Sequence, residues 1–529
     1  MAINSIVAFI TTLTSLVTIL FQVSLWQRKE YRWDRMYSYL TSAESRWASH
    51  PWLIAAIMAL GLSWISFLIG SDSSEVIALA AITFFAIHHA LRIQKQGLYR
   101  PIWTLKSLTV MAITVGLSAG YISLCSFPGI LPYAQQASFL FFLPGICTVA
   151  VVLANIPFGI RKRLVATKAA ARRSQLKNLQ VIGITGSYGK TSTKYFLSQI
   201  LGKTQLPFSA TPEHCNSYYC IAQHLLKNAT PTQKVYVAEM GAYRPGEIKQ
   251  ITDIVKPTIG VITAVGSQHI SLFGSPEAVL TTKWELARSL PKAGTLIING
   301  DNGALVAKAK KGTRKIIQYS CTHAADIWLE DMAIQDTSIH GSLHIYDKKY
   351  PVSIPLISQG LLGSALAAVA AATVLDIGHK TILAAISSLS PMSRTMEGYA
   401  GPNKSFVVDD SYSGGHEAAL NAIQHIKNFR QKDKRIVFVP IIELGEKSAA
   451  AHVAIGAAIA ETGARLYIYG DAHRADIEAG LGKQASNAAW FSDALRLTES
   501  VTSGLSSSSL VLLEGRVPSL LRQALSMRI

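Results

Sequence analysis

Lys190 and Thr191 stand directly behind the glycines of the run 185–192, TGSYGKTS. The apolar Val181, Ile182 and Ile184 precede it, and Phe196, Leu197 and Ile200 follow at helical spacing. A strand that empties through glycines onto a helix N-terminus is a phosphate cradle. Small residues let backbone N–H groups close on the oxygens, and the helix dipole adds positive potential. Thr185, Gly186, Ser187 and Gly189 would shape the cradle. Lys190 would reach the terminal phosphates, and the Thr191 hydroxyl, with Ser192 beside it, would face Mg²⁺. The general G-x-x-x-x-G-K-[ST] pattern is met except at its first glycine, where Ile184 stands. An ordinary Gly-rich turn is the bland alternative, and it leaves the Lys-Thr pair unexplained.

Further strand–loop junctions carry reactive side chains. The apolar run 234–238, KVYVA, ends at Glu239. A carboxylate at the C-terminal end of a strand beside a phosphate loop can hold Mg²⁺ or its water. The strand expected at 258–264 runs out towards His269, which either caps and packs or follows Glu239 to the metal. Lys283, in TTKWELARSL, reads by itself as a solvated helix residue. The strand at 295–298 ends at Asn299-Gly300-Asp301-Asn302, donors and acceptors suited to a base or a ribose.

The elements that would position these groups alternate strand and helix from residue 161 onwards, the mark of α/β architecture. Residues 161–177 form a basic, Ala-rich connector, expected to be helical and close to anionic headgroups. Short alternating stretches after Asp301 predict a small sheet. Residues 361–389 are Ala-rich and helical, and 406–420, FVVDDSYSGGHEAAL, reads strand, turn, helix.

The ordered series TGSYGKTS, EMG, RPGEI, ITAVGSQHISLFGS, KWE and INGDN resembles the Mur ligase family. The D-Ala-D-Ala-adding branch of peptidoglycan synthesis is nearest in pattern. The resemblance implies that Lys190 and Thr191 bind ATP phosphates and Mg²⁺, and that Glu239 and His269 hold magnesium. It implies that Lys283 is the lysine carbamylated in several members, where the carbamate helps to bind a second metal. Asn299 and Asp301 match the adenosine-binding segment. Arg394, in MSRTME, matches the entry to the family's C-terminal domain, and Asp410, in DDSY, would contact nucleotide or acceptor. The pattern departs at Ser413, Gly414, Gly415 and His416, which replace N-A-N-P, and at Val439-Pro440, which replace Gly-Asp. LEGR at 513–516 stands for K-G-S, and Gly360 and Ser364 occupy the places of a His and an Asn. The departures gather in the domain that, in this family, binds the incoming amino acid or dipeptide. The family also places a UDP-substrate domain ahead of the phosphate loop, where this chain has only the connector and apolar segments. A membrane-associated donor is therefore expected.

Those segments are five apolar runs at 2–26, 52–70, 76–91, 107–124 and 137–156. A helix needs about 20 such residues to cross a bilayer, with about 17 as the lower limit. The third run is short and would need His88, His89 and Arg92 to snorkel. Basic residues fill alternate loops: Arg28, Lys29, Arg32, Arg35 and Arg46; then Arg92, Lys95, Arg100 and Lys106; then Arg161, Lys162, Arg163, Lys168, Arg172 and Arg173. The intervening loops hold no Lys or Arg, which puts the N-terminus outside and everything after residue 156 in the cytoplasm. The stretch 27–50 mixes basic and aromatic residues and reads as an interfacial helix or a loop. No Asp or Glu lies in the five runs, so no ion path is indicated.

Composition agrees. Over 529 residues the formal charge is +18. Much of that excess lies beside apolar runs, which favours an anionic membrane over nucleic acid. The five cysteines show no C-x-x-C spacing, so neither a disulfide framework nor a zinc ribbon is expected, and a reducing cytoplasm fits.

The expected molecule is multi-domain. It has a five-helix transmembrane domain (1–160), the connector (161–177), an α/β P-loop ATPase domain (178–390) and a Rossmann-like α/β C-terminal domain (391–529). The expected activity is a membrane-anchored, ATP- and Mg²⁺-dependent amide ligation through an acyl phosphate. Its partners would be inner-leaflet lipids, a nucleotide- or lipid-linked cell-wall precursor, and an amino acid or dipeptide. The expected location is multi-pass in the cell membrane with the catalytic domains cytoplasmic. Two alternatives stand beside it: a polyglutamate-like synthetase, and a membrane-bound ATPase or regulator that forms no bond.

Overall fold

The computed structural model describes residues 2–40, 73–96, 98–125, 132–266, 273, 275–310, 315–335, 338–412, 415–441 and 448–526. Two units are distinct, Met1–Leu164 and Val165–Ile529.

In the second unit the central strands are short aliphatic runs without alternation, the composition of strands covered on both faces. β1 (Gln180–Thr185), β3 (Val235–Glu239) and β4 (Ile259–Ile262) are buried almost throughout. With β2 (Phe208–Ala210), β5 (Thr295–Asn299) and β6 (Ile316–Ser320) they form a parallel sheet ordered β2-β3-β1-β4-β5-β6. After β1 the chain lays down β2 and β3 on one side and then β4 on the other. The crevice at the C-terminal ends of β1 and β4 is therefore a switch point, where ligands settle in such sheets. The small sheet expected after Asp301 is β7 (Ile327–Gln335), β8 (Ser338–Ile345) and β9 (Lys348–Ile354), an antiparallel extension of the same sheet.

The helix Lys190–Gly202 buries Phe196, Leu197 and Ile200 against this sheet. Each such side chain contributes about 1.5–3 kcal/mol by leaving water. The Ala-rich stretch forms two helices, Gln359–Val374 and His379–Ile386. The first is buried from Leu361 to Ala372 except at Gly363, and its small side chains allow close packing on Lys190–Gly202.

The second sheet is ordered β10-β11-β15-β12-β13-β14: β10 (Glu397–Ala400), β11 (Phe406–Asp410), β12 (Asp433–Phe438), β13 (Arg465–Tyr469), β14 (Ala488–Phe491) and β15 (Ser509–Glu514). Only β10 runs antiparallel. Arg435 is buried there with its charge satisfied by Asp433 and by the carbonyls of Val501 and Ser503.

One disulfide is present, Cys215–Cys220, against the expectation from spacing. The turn before the helix Tyr218–Asn228 folds Cys215 back onto that helix's first turn, with the two Cα atoms 5.4 Å apart. Cys147 and Cys321 are free and buried.

The first unit is helical: Ala2–Arg28, Trp33–Leu40, Ser73–Gln96, Leu105–Cys125 and Pro132–Gln175. Among the described residues three helices are long and apolar enough to cross a membrane: Asn4–Arg28, Leu105–Leu124 and Gln135–Gln175. The expected span at 76–91 is an apolar stretch inside Ser73–Gln96, shorter than those three, and the expected span at 52–70 lies outside the described residues. The connector continues the helix Pro132–Gln175 almost to its end. Of the stretch 27–50, residues 33–40 are helical and 41–50 lie outside the described residues.

Candidate active site

β1 delivers Thr185 to the crevice fully buried, its hydroxyl bonded to Met240 O at 2.9 Å. The chain then turns through Gly186 at φ 153° and Gly189 at φ 78°. A Cβ on Gly186 would stand 2.1 Å from Thr263 Oγ1 at the end of β4. The loop is stitched to that strand end. Ser187 N donates to Ala264 O at 2.8 Å, Gly266 N donates to Ser187 Oγ at 3.1 Å, and the Thr263 hydroxyl donates to Tyr188 O. Ser364, on the helix Gln359–Val374, closes the far side, its Oγ 3.1 Å from where a Gly189 Cβ would sit.

Lys190 opens the helix, and its Nζ donates to Gly186 O at 2.7 Å and Ser187 O at 3.0 Å. Burial lowers its pKa, opposed by the nearby Glu239. The Thr191 hydroxyl donates to Glu239 Oε1 at 3.0 Å. Glu239, 3% exposed at the end of β3, is also 2.9 Å from Lys194 Nζ through Oε2. Lys194 follows Lys190 by one helical turn, a spacing that puts both amines on one face. A hydroxyl and a carboxylate side by side are hard oxygen donors, the set Mg²⁺ prefers. They lie beside a loop that tolerates no Cβ at Gly186, so the residues fit a nucleotide phosphate with its magnesium.

Lys283 ends the helix Pro276–Lys283 and is not solvated: it is 4% exposed, with Nζ 5.8 Å from the centre of the Phe273 ring. Burial, then the charge of Lys190, pushes its pKa down to about 7. His269 lies outside the described residues. Asn299 ends β5 and accepts from Asp301 N at 2.9 Å. Asp301 is occupied in fixing the end of β6. It accepts from Ser320 Oγ at 2.6 Å, Cys321 N at 2.8 Å and Thr322 Oγ1 at 2.6 Å. Burial raises its pKa, but those bonds and His323 hold it below the usual value.

Residues 184–372 match the family model of the Mur ligase middle domain. The UDP-N-acetylmuramoyl-tripeptide–D-alanyl-D-alanine ligase of Mycobacterium tuberculosis is 30% identical over 295 residues, which are 54% of this chain and 58% of the relative. The Escherichia coli enzyme of that name is 27% identical over 306 residues, 57% of this chain and 66% of the relative. The chain thus spans less than two thirds of these relatives. Among solved structures, MurF from Acinetobacter baumannii has a TM-score of 0.61 at 22% identity, covering 69% of this chain and 80% of that one. The Thermotoga maritima MurF ligase, solved with ADP, has a TM-score of 0.60 at 21% identity, over 70% and 85%. The multi-domain Mur fold with its parallel sheets is thereby shown.

Beyond residue 372, Arg394 lies in the turn before β10 and Asp410 ends β11, the strand paired with β10. Arg394 lies over the Tyr412 ring at 5.5 Å, and Tyr412 N donates to Arg394 O. Tyr412 stacks in turn on His214, in the loop after β2, at 5.9 Å. Asp410 accepts from Met396 N at 3.1 Å, and burial pushes its carboxyl up to about 7. Lys194, Thr263, His214 and Tyr412 were not expected at the site. Only Lys194 had a local signal, its spacing from Lys190. The others meet across distant strand ends.

Proposed function

We propose that the chain is a membrane-anchored, ATP-dependent ligase that joins a carboxylate of a cell-wall precursor to the amine of an amino acid or dipeptide. The observation that carries this is Thr191 bonded to Glu239 at the mouth of the Gly186–Gly189 loop, with the Lys190 and Lys283 amines close by. A carboxylate oxygen attacks the γ-phosphorus and the bond to the β–γ bridging oxygen breaks, which leaves an acyl phosphate and ADP. The amine then attacks the acyl carbon, phosphate departs, and the amine proton passes to a base. Such chemistry is mostly positioning and charge neutralisation. Lys190 would leave its loop carbonyls for the phosphates. Thr191, Glu239 and His269 would hold Mg²⁺, whose charge would offset that of the transferring group. Asn299 and Asp301 would shape the nucleoside side, Asp301 by fixing the β6 end, while Arg394 and Asp410 would face the second substrate. Lys283, with its amine close to neutral, is suited to adding CO₂ at Nζ as a carbamate with release of a proton.

The apolar helices support a location in the cell membrane, and the basic loops support cytoplasmic catalysis. They favour a lipid-linked donor over a UDP-linked one. The test is mass spectrometry of products after incubation with ATP, Mg²⁺, both donors and a panel of amino acids and D-Ala-D-Ala. Lys190→Ala is expected to abolish product while membrane insertion persists; ligation at the normal rate in that variant would refute the assignment. Faster turnover of UDP-muramoyl-tripeptide than of the lipid-linked donor would refute the donor.

A further inference from the structure

Among the described residues of the first unit, one half-buried cation, Lys106, meets no carboxylate. Lys106 stands in the first turn of Leu105–Cys125, half-buried. Its Nζ donates to Asn155 Oδ1 at 2.6 Å and lies 4.4 Å from the centre of the Tyr31 ring and 5.6 Å from that of Phe158. Asn155 is itself fixed, its Nδ2 donating to Tyr31 O at 3.1 Å. Among the described residues no carboxylate meets Lys106, and the charge of Lys162, of the same sign, acts on it. An ammonium has three donors. An amide oxygen takes one, and aromatic faces attract a cation without cancelling its charge. A half-buried charge left so is costly unless an anion comes to it.

The surroundings restrict that anion. Ile102, Trp103 and Leu105 are 75%, 56% and 66% exposed, and Ile156 and Ile160, which follow Asn155 on its helix, are 57% and 55% exposed. An anion settled among exposed apolar side chains of membrane-length helices arrives with a hydrocarbon chain attached. We propose that Lys106, tethered by Asn155 and walled by Tyr31 and Phe158, binds a phosphate ester carried on a long hydrocarbon chain. The source is either an anionic glycerophospholipid or an isoprenoid phosphate. The site rests on the membrane reading of this unit and needs no ligase activity.

The experiment uses the full chain in phosphatidylcholine nanodiscs, with dioleoyl phosphatidic acid and a polyprenyl monophosphate as separate probes. Native mass spectrometry reads retention after release. Wild type is expected to retain at least one probe about tenfold above the phosphatidylcholine background, and the preferred probe names the source. Lys106→Gln is expected to fall to background and Lys106→Arg to hold. Equal retention by wild type and Lys106→Gln overturns the site, as does binding of neither probe. A second reading needs no variant. Reductive methylation of Lys106 in the wild type, mapped by peptide mass, is expected to slow when the preferred probe is present, and an unchanged rate overturns the site. Neither readout involves ATP, so loss of ligation and loss of this site are separate results.

Discussion

Of the two glycines in the phosphate loop, Gly186 carries the tighter demand. Its φ of 153° and the 2.1 Å approach of Thr263 Oγ1 leave no room for a methyl group. Gly186→Ala is expected to displace the loop and weaken ATP binding at least tenfold, read by calorimetry, with the melting temperature shifted by only a few degrees. Lys283 makes a pH prediction. With its pKa at about 7, the amine is neutral above that value and available to CO₂. Ligation is expected to rise with pH through about 7, to drop in CO₂-depleted buffer and to recover with bicarbonate; Lys283→Arg should lose the bicarbonate response. Rates indifferent to bicarbonate would remove the carbamate from the mechanism. At this scale the sequence was legible where chemistry is local. TGSYGKTS carries its own turn and helix start. The Lys194–Glu239 pair and the His214–Tyr412 stack depend on which strand ends the fold brings together, and no spacing announces them.

Asp410 and Glu514 are register neighbours on β11 and β15, and both are buried. Burial, with Asp409 nearby, holds Asp410 at about 7 and Glu514 well above its usual range. The folded protein therefore keeps protons that the unfolded chain gives up near pH 4. Stability from this pair is complete below about pH 4 and is lost as pH rises, for Asp410 through about 7 and for Glu514 further. The slope is about 1.4 kcal/mol per pH unit for each proton held. Asp410→Asn is expected to flatten the decline between pH 5 and 7 in denaturant titrations and to raise stability at pH 8; an unchanged slope would mean the carboxyl titrates normally. Elements were legible where periodicity and length agree. Continuous aliphatic strands, the meander after β6 and the Ala-rich helices all follow from pattern. The run at 76–91 was harder, because its helix extends into polar residues on both sides and only the apolar part counts towards a crossing.

For the molecule as a whole, the alternation of basic loops predicts sidedness. A tag at the N-terminus is expected to be cleaved by protease added outside intact cells, and one at the C-terminus to be protected until the membrane is opened. The reverse pattern would overturn the orientation. Extraction at alkaline pH should leave the chain in the membrane fraction. The fold of the second unit was legible because its motifs come in a fixed order along the chain. The number of crossings was not, since hydropathy decides how apolar a segment is and leaves open how neighbouring segments share the bilayer.

The Cys215–Cys220 bond gives an independent compass for that orientation. The proposed orientation puts the second unit in the cytoplasm, where thiols stay reduced, whereas a bond of this kind persists in an oxidising space. Trapping the thiols with an alkylating agent in living cells, before lysis, turns the pair into a reporter. Two labels on the 215–220 peptide would place the ATP site with the cell's reductants. An unlabelled pair would put it on the opposite face of the membrane, away from the cytoplasmic nucleotide pool.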